Sequence, residues 1–232
     1  MSNRMIFGAL ALLTTGLSAG CGPIDEAPAD REVQVQFQTL VGGESFDCTK
    51  NYTVGSDDTP VKFSQMKWFV SDVALIRADG TEERLELKQE NRWQTGRTAL
   101  LDFEDKTGAC KNGTEPTRTV VEGTVPKGDY TDLAFTLGVP FEQNHQNPAQ
   151  APAPLNLTSM FWNWQGGYKF LRIDGMADET GGFRVHLGSI GCKKGDGGPG
   201  DVTECKQENR PRVTLSDFDP ADDTVALEVA DL

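Results

Sequence analysis

The feature that most constrains the fold of this chain is a series of short apolar segments separated by turns rich in glycine. Residues 33–37 alternate valine or phenylalanine with glutamine, which is the period-two pattern of a half-buried strand. Similar short segments lie at residues 61–63, 67–70, 73–76, 85–87, 99–103, 118–125, 133–137, 213–215 and 224–229. No long segment shows the period of an amphipathic helix. The pattern predicts an all-β fold, as a single-domain β-sandwich or an open barrel with long loops.

A hairpin is expected in the second half of the chain, where residues 168–173 and 183–187 flank a turn. Side chains alternate between the two faces of a strand. Phe183, Val185 and Leu187 therefore form an apolar face, and His186 points the other way. Residues 143–154 contain three prolines and predict an extended surface loop that carries His145. Short helical turns are possible in residues 155–164.

The N-terminus has the features of an export signal. Arg4 precedes a short apolar run and three small residues, and the run is too short to cross a bilayer. Cys21 follows directly, in a segment that resembles a bacterial lipobox, with ordinary signal cleavage as the alternative. The expected organisation is a signal peptide at 1–20, a lipid-anchored flexible tether at 21–31 and a β domain at 32–232. The predicted location is the periplasm or cell envelope, as an outer-membrane lipoprotein.

Four cysteines follow Cys21, and an even number in an exported chain predicts two disulfides. Three pairings are possible. We favour Cys48 with Cys110 and Cys192 with Cys205, because the second pair would close one short glycine-rich loop. A thiolate metal site is the disfavoured alternative, since no CxxC-type spacing is present and the compartment is oxidising.

The formal net charge of −13 limits the kinds of partner that this chain can bind. It disfavours binding to nucleic acid and to anionic lipid, so any membrane contact would be through the N-terminal lipid alone. The acidic residues 216–223 offer carboxylates for calcium but lack the spacing of an EF-hand loop. Without a Ser-His-Asp order, a nucleophile elbow or a phosphate-binding loop, the chain is not expected to be an enzyme.

The only two histidines, His145 and His186, flank an aromatic segment at residues 160–170 that holds two of the four tryptophans. Imidazole is the commonest neutral ligand of transition metals, and with soft donors it suits copper. Two histidines do not saturate copper, so the thioether of Met160 is a candidate third donor. If residues 160–165 are extended, Met160, Trp162 and Trp164 share one face. The alternative is two isolated surface histidines beside tryptophans that pack a core.

An ordered series of motifs gives a resemblance to a known family. The series lies at residues 69–73, 135–140, 144–148, 153–157, 160–170 and 186–192, together with the four cysteines. It resembles the MbnP-like family of exported copper-binding proteins, which is associated with methanobactin operons. The aromatic segment at 160–170 is the most specific of these motifs.

The resemblance implies a β-rich protein that binds copper and is a substrate of a MauG-like di-haem oxidase or peroxidase. That partner is understood to oxidise one tryptophan to kynurenine. By resemblance, His145 and His186 would be the copper ligands, and Trp164, in preference to Trp162, would be modified. Kynurenine carries an aryl amine and a ketone, so oxidation could create the third donor. The rival interpretation is a cell-surface glycan-binding or adhesion β-sandwich without metal.

Overall fold

A computed structural model describes residues 29–90, 92–177 and 181–232 of the chain. The predicted signal peptide, Cys21 and most of the predicted tether lie outside the described residues. Asp30 and Arg31, which the tether was expected to include, belong to the first strand. Across the described residues, no helix has the length and apolar character needed to cross a membrane.

The described residues are mostly strands. In chain order these are β1 (Asp30–Val41), β2 (Glu44–Ser45), β3 (Tyr52–Val54), β4 (Thr59–Ile76), β5 (Glu82–Arg84), β6 (Glu86–Leu87), β7 (Gln94–Thr95), β8 (Thr98–Asp102), β9 (Val120–Pro126), β10 (Asp132–Leu137), β11 (Phe161–Asn163), β12 (Gly167–Tyr168), β13 (Leu171–Ala177), β14 (Gly181–Leu187), β15 (Ile190–Lys194), β16 (Val202–Gln207), β17 (Arg212–Leu215) and β18 (Thr224–Glu228). A short helix, α1 (Phe141–Asn144), and a 3-10 turn (Thr158–Met160) lie between β10 and β11.

The strands form two large sheets and two small hairpins. The first large sheet has five strands in the order β18-β1-β9-β6, with β2 paired to β1. The larger sheet has the order β14-β13-β4-β10-β17, with β3, β5 and β8 also paired to β4 and β7 paired to β8. The hairpins are β11–β12 and β15–β16. The all-β prediction is confirmed. The sheets do not close into a barrel, so of the two predicted architectures the fold is the β-sandwich.

The main core lies between the two large sheets. Val35 and Phe37 of β1 contribute from one side, and Trp68 of β4 and Ile173 of β13 contribute from the other. The rings of Phe37 and Phe135 meet edge to face across this core, with centroids 5.5 Å apart. Phe183 and Leu187 pack against it as expected, whereas Val185, assigned to the same apolar face, is exposed.

The central strand β4 corrects the prediction of three separate segments between residues 61 and 76. It runs without a break for 18 residues. Residues 66–71 are all buried, because the sheet is covered on both faces there. Trp68 and Val70 face the main core, whereas Phe69 faces outward into a second core. A strand buried on both faces loses the polar alternation from which strand ends are predicted.

The second core is a cluster on the outer face of the larger sheet. Its buried members are Phe69, Trp93, Leu100, Val139, Leu155, Met160, Tyr168 and Phe170. Five of these come from the connection and hairpin at residues 139–170, so the cluster seats the β11–β12 hairpin on the sheet. It therefore fixes the position of the aromatic segment that the sequence singled out.

Both predicted disulfides are present. Cys48–Cys110 joins the loop after β2 to the loop after β8, and Cys192–Cys205 joins paired residues of β15 and β16. The β15–β16 hairpin itself was not predicted. Its residues are mostly exposed and rich in lysine and glycine, so they carry no apolar period.

A buried ion cluster ties β4 to the end of β8. Lys67 is 2% exposed, and its Nζ lies 2.8 Å from Glu104 Oε2 and 3.3 Å from Asp102 Oδ2. The second Glu104 oxygen accepts a hydrogen bond from the Met66 amide at 2.7 Å. Burial raises the pKa of the Glu104 carboxyl, and the opposing attraction of Lys67 does not outweigh it. One cation therefore stabilises two carboxyl groups that water does not reach.

Replacing Lys67 tests whether the stability of the fold depends on this cation. Lys67→Met keeps the bulk of the side chain but leaves the two carboxyl groups without their cation, so we expect a loss of about 3–5 kcal/mol in unfolding free energy. Urea denaturation followed by tryptophan fluorescence measures the change. Lys50→Met, which removes an exposed pair with Glu44, is the control and should leave the midpoint nearly unchanged. Equal effects of the two substitutions would contradict a structural role for the buried cluster.

Candidate metal centre

His145 is a buried residue at the end of a helix, which corrects its assignment to an extended surface loop. It follows α1 directly and is 5% exposed. Its Nδ1 lies 3.2 Å from the carbonyl oxygen of Trp164. A carbonyl oxygen only accepts hydrogen bonds, so Nδ1 carries the proton and Nε2 carries the lone pair. Burial lowers the pKa of His145, which favours this neutral form.

Asn144 holds this region together. It is 1% exposed, and its carboxamide oxygen accepts a hydrogen bond from the Tyr168 amide at 2.8 Å. Its amide nitrogen lies 3.3 Å from both the Ser189 hydroxyl and His145 Nε2. One side chain thus connects α1, the β11–β12 hairpin and the segment after β14. The position of the His145 ring depends on all three.

His186 lies on the outer face of β14, as the strand pattern predicted. Its Nε2 is 2.5 Å from Asp174 Oδ1 on the neighbouring β13. Arg172 donates to the other Asp174 oxygen through Nε at 3.0 Å and Nη2 at 2.6 Å. Burial raises the pKa of Asp174, but the hydrogen bonds from Arg172 and His186 outweigh it, so the net shift is downward. The carboxylate only accepts hydrogen bonds, so Nε2 carries a proton, and in the neutral ring the lone pair is on Nδ1.

Trp162 is the more exposed tryptophan of the hairpin, at 38%. Its ring centroid lies 6.3 Å from that of His186 and 6.0 Å from Lys169 Nζ. The ring lies so close over Gly188 that a Cβ at that position would be 2.4 Å from Cζ3. Glycine at 188 is therefore what allows Trp162 to lie beside His186.

Trp164 lies on the other side of the hairpin and shares a surface cleft with His145. The cleft has a volume of about 810 Å³, and Phe141, Pro152 and Gly200 also line it. A Cβ on Gly200 would lie 2.7 Å from the His145 carbonyl oxygen and 3.3 Å from the Trp164 ring. The glycine-rich loop between β15 and β16 can therefore pack closely on both residues.

Met160 differs from its predicted position. It ends the 3-10 turn, is fully buried and belongs to the second core, whereas Trp162 is exposed. Phe161 is the neighbour that packs against that core. Met160 and Trp162 thus do not share one face, because the turn interrupts the extended backbone. The packing of Met160 accounts for its presence without a metal.

The unprotonated nitrogen of His145 lies beside the second disulfide. Cys205 Sγ is 3.6 Å from His145 Nε2. The ligand atoms of His145, Cys192 and Cys205 all lie within 4.8 Å of one another. His186 is not part of this group.

The structure thus pairs each histidine with a different tryptophan of one hairpin, His145 with Trp164 and His186 with Trp162. A single ion held by both histidines remains a prediction. The sequence reasoning missed Asn144 and Asp174, which orient the two rings. The hairpin register could have indicated Asp174, because Arg172 pairs with His186 and Asp174 follows on the same face of the strand.

Comparison with known proteins assigns the family. The family model for MbnP matches residues 30–232. The chain belongs to the MbnP family. A solved structure, MbnP from Methylosinus trichosporium, is 31% identical with a TM-score of 0.78, and the match covers 86% of this chain and 76% of that one. No curated protein matched the chain. Membership of the MbnP family indicates a methanobactin-related protein.

The hydrogen bonds of the two rings predict opposite tautomers. His145 should carry its proton on Nδ1 and His186 on Nε2, and the pKa of His145 should lie below the ordinary value of about 6.5. Long-range proton–nitrogen correlation spectra of the metal-free protein distinguish the tautomers, and a pH titration gives the pKa. The chain has only two histidines, so assignment needs one His186→Ala spectrum. Identical tautomers would contradict the hydrogen bonding described above.

Proposed function

We propose that this protein is an exported copper-binding protein that holds one copper ion through His145 and His186. A third donor would come from Trp164 after its oxidation to kynurenine by a MauG-like di-haem partner. The chain acts in this proposal as the substrate of that partner and as a copper carrier or store, not as an enzyme. Its place is the periplasm or cell envelope, attached to a membrane through lipid on Cys21, and it has no nucleic-acid partner.

The observation that carries the proposal is the way in which both imidazoles are held. Each ring donates from one nitrogen to a fixed acceptor, the Trp164 carbonyl or the Asp174 carboxylate. Metal-ligating histidines almost always have such a partner, which fixes the tautomer and raises the basicity of the ligating nitrogen. In its neutral state each ring therefore turns one defined nitrogen, His145 Nε2 or His186 Nδ1, toward a metal.

The donor chemistry fits copper better than a hard cation. His145 Nε2 and His186 Nδ1 are imidazole nitrogen donors, which suit copper, whereas calcium and magnesium take oxygen ligands. Arg172 and His186 already engage Asp174, so this carboxylate serves to orient the ring. A copper ion bound here would be carried or stored, and the residues named here would position it.

The choice of Trp164 rests on its contacts with His145. Its carbonyl oxygen accepts the His145 hydrogen bond, and its ring lines the same cleft as the imidazole. An aryl amine formed on this side chain would lie near the His145 ring. Trp162 remains the second candidate, because it is more exposed and its ring lies beside His186.

Removing the proposed ligands should abolish copper binding. His145→Ala and His186→Ala, alone and together, should each lower the copper retained after dialysis, measured by elemental analysis of protein produced with its di-haem partner. Asp174→Asn keeps both imidazoles but weakens the hold on His186, so we expect about a 10–100-fold loss of copper affinity.

Matched controls separate ligand loss from misfolding. Gln146→Ala changes a neighbour of His145 that lines the cleft and should retain copper. Circular dichroism should show the same strand content in every variant. Full copper retention in the double alanine variant would refute the two-histidine site.

The modified tryptophan can be identified by mass. Production with the di-haem partner should change the peptide that contains Trp164 by the loss of one carbon atom and the gain of one oxygen atom. Tandem mass spectrometry assigns the residue, and Trp164→Phe should remove the change whereas Trp162→Phe should not. A mass change that remains in Trp164→Phe would assign the modification elsewhere.

A further inference from the structure

The Cys192–Cys205 disulfide and His145 form a compact group of soft donor atoms. Cys205 Sγ lies 3.6 Å from His145 Nε2, the unprotonated ring nitrogen, which accepts a hydrogen bond from the Asn144 amide. Within the part of the chain that the structure describes, this is the one group of three or more His, Cys, Asp or Glu side chains close enough to hold a metal ion. The proposed copper site does not use either sulfur.

The hairpin would keep the two sulfur atoms together if the bond between them opened. Cys192 and Cys205 are directly paired on β15 and β16, and the flanking pairs include Ile190 with Gln207 and Lys193 with Glu204. Gln165 also donates a hydrogen bond to the Cys192 carbonyl oxygen at 2.5 Å. Loss of the covalent bond releases a loop with a sequence separation of only 13, so the strand pairing can hold the thiols in register.

The two disulfides of the chain differ in accessibility. Cys48 and Cys110 are 4% and 0% exposed, so both sulfur atoms of the first disulfide belong to buried residues. Cys192 is 5% exposed, but its partner Cys205 is only partly buried, on a small hairpin whose other side chains are mostly exposed. A thiolate must reach a sulfur atom to exchange with it, so reduction should occur at the hairpin first.

We propose that reduction of the Cys192–Cys205 disulfide creates a second metal site, in which two thiolates and His145 Nε2 bind Cu(I). A dithiol reductant supplies two electrons and two protons, the sulfur–sulfur bond breaks, and the reductant becomes a disulfide. The metal then displaces the two thiol protons to solvent. Thiolate and imidazole together are the donors that a soft monovalent copper ion prefers.

This site shares His145 with the proposed two-histidine site but needs neither His186 nor a modified tryptophan. The two sites can therefore be tested separately. His186→Ala removes the two-histidine site and leaves both sulfurs. Cys192→Ser with Cys205→Ser removes the thiolate site and leaves both imidazoles.

The test uses the full chain, produced without its oxidising partner, in its oxidised form and after reduction with a water-soluble phosphine that is then removed without air. With Cys21 replaced by serine in every sample, thiol counting should give two free thiols per chain. Cobalt(II) is the optical probe, because thiolate ligation gives a charge-transfer band in the near ultraviolet. Copper K-edge absorption on Cu(I)-loaded protein then reports sulfur neighbours directly.

The reduced wild type and reduced His186→Ala should both show the charge-transfer band and sulfur neighbours, and the oxidised protein should show neither. The Cys192→Ser/Cys205→Ser variant should lose both signals, and His145→Ala should weaken the band. No band in the reduced wild type would overturn the proposal. A band that survives in the double serine variant would come from Cys48 and Cys110 and would overturn it equally.

Discussion

The burial of β4 on both faces is the constraint on which the rest of this structure depends. Trp68 and Val70 close the sandwich on one side, and Phe69 supports the second core on the other. Without the outward cluster around Phe69, the aromatic hairpin would have no surface to pack on. The same strand must also accommodate Lys67, whose charge is balanced by two buried carboxyl groups. The hydrophobic area buried on both faces is what offsets the cost of removing these charges from water.

The second constraint is electrostatic and concerns the state of the two imidazoles. Burial lowers the pKa of His145, which favours its neutral form, but neutrality alone leaves the tautomer open. The Trp164 carbonyl and the Asp174 carboxylate select opposite tautomers, so that in the neutral rings the lone pair is on Nε2 of His145 and on Nδ1 of His186. Arg172 stabilises the charge on Asp174 and thereby acts on His186 through the carboxylate. The orientation of both potential ligands is thus set before any metal arrives.

Much of the fold follows from local sequence, and the exceptions have physical causes. Alternation in residues 33–37 predicts β1 because only one of its faces is buried, and an even count of exported cysteines predicts two disulfides. Alternation fails in β4, where both faces are buried, and in β15–β16, where neither face is covered by a core. The pair of histidines around an aromatic segment could be read from the sequence. The role of Asp174 follows only once the register of β13 and β14 is known, and the role of Asn144 depends on contacts between distant segments.

His145 connects the two inferences about metal binding, because it has only one lone pair to give. Nδ1 is committed to the Trp164 carbonyl, so Nε2 must serve either an ion shared with His186 or an ion shared with the Cys192 and Cys205 sulfurs. The two sites therefore exclude each other at this nitrogen. With the disulfide closed, both sulfurs are poor ligands and only the nitrogen donors remain. With the disulfide open, the two thiolates are softer donors than imidazole and compete with His186 for Cu(I). The redox state of one exposed hairpin would then decide which set of side chains holds the ion.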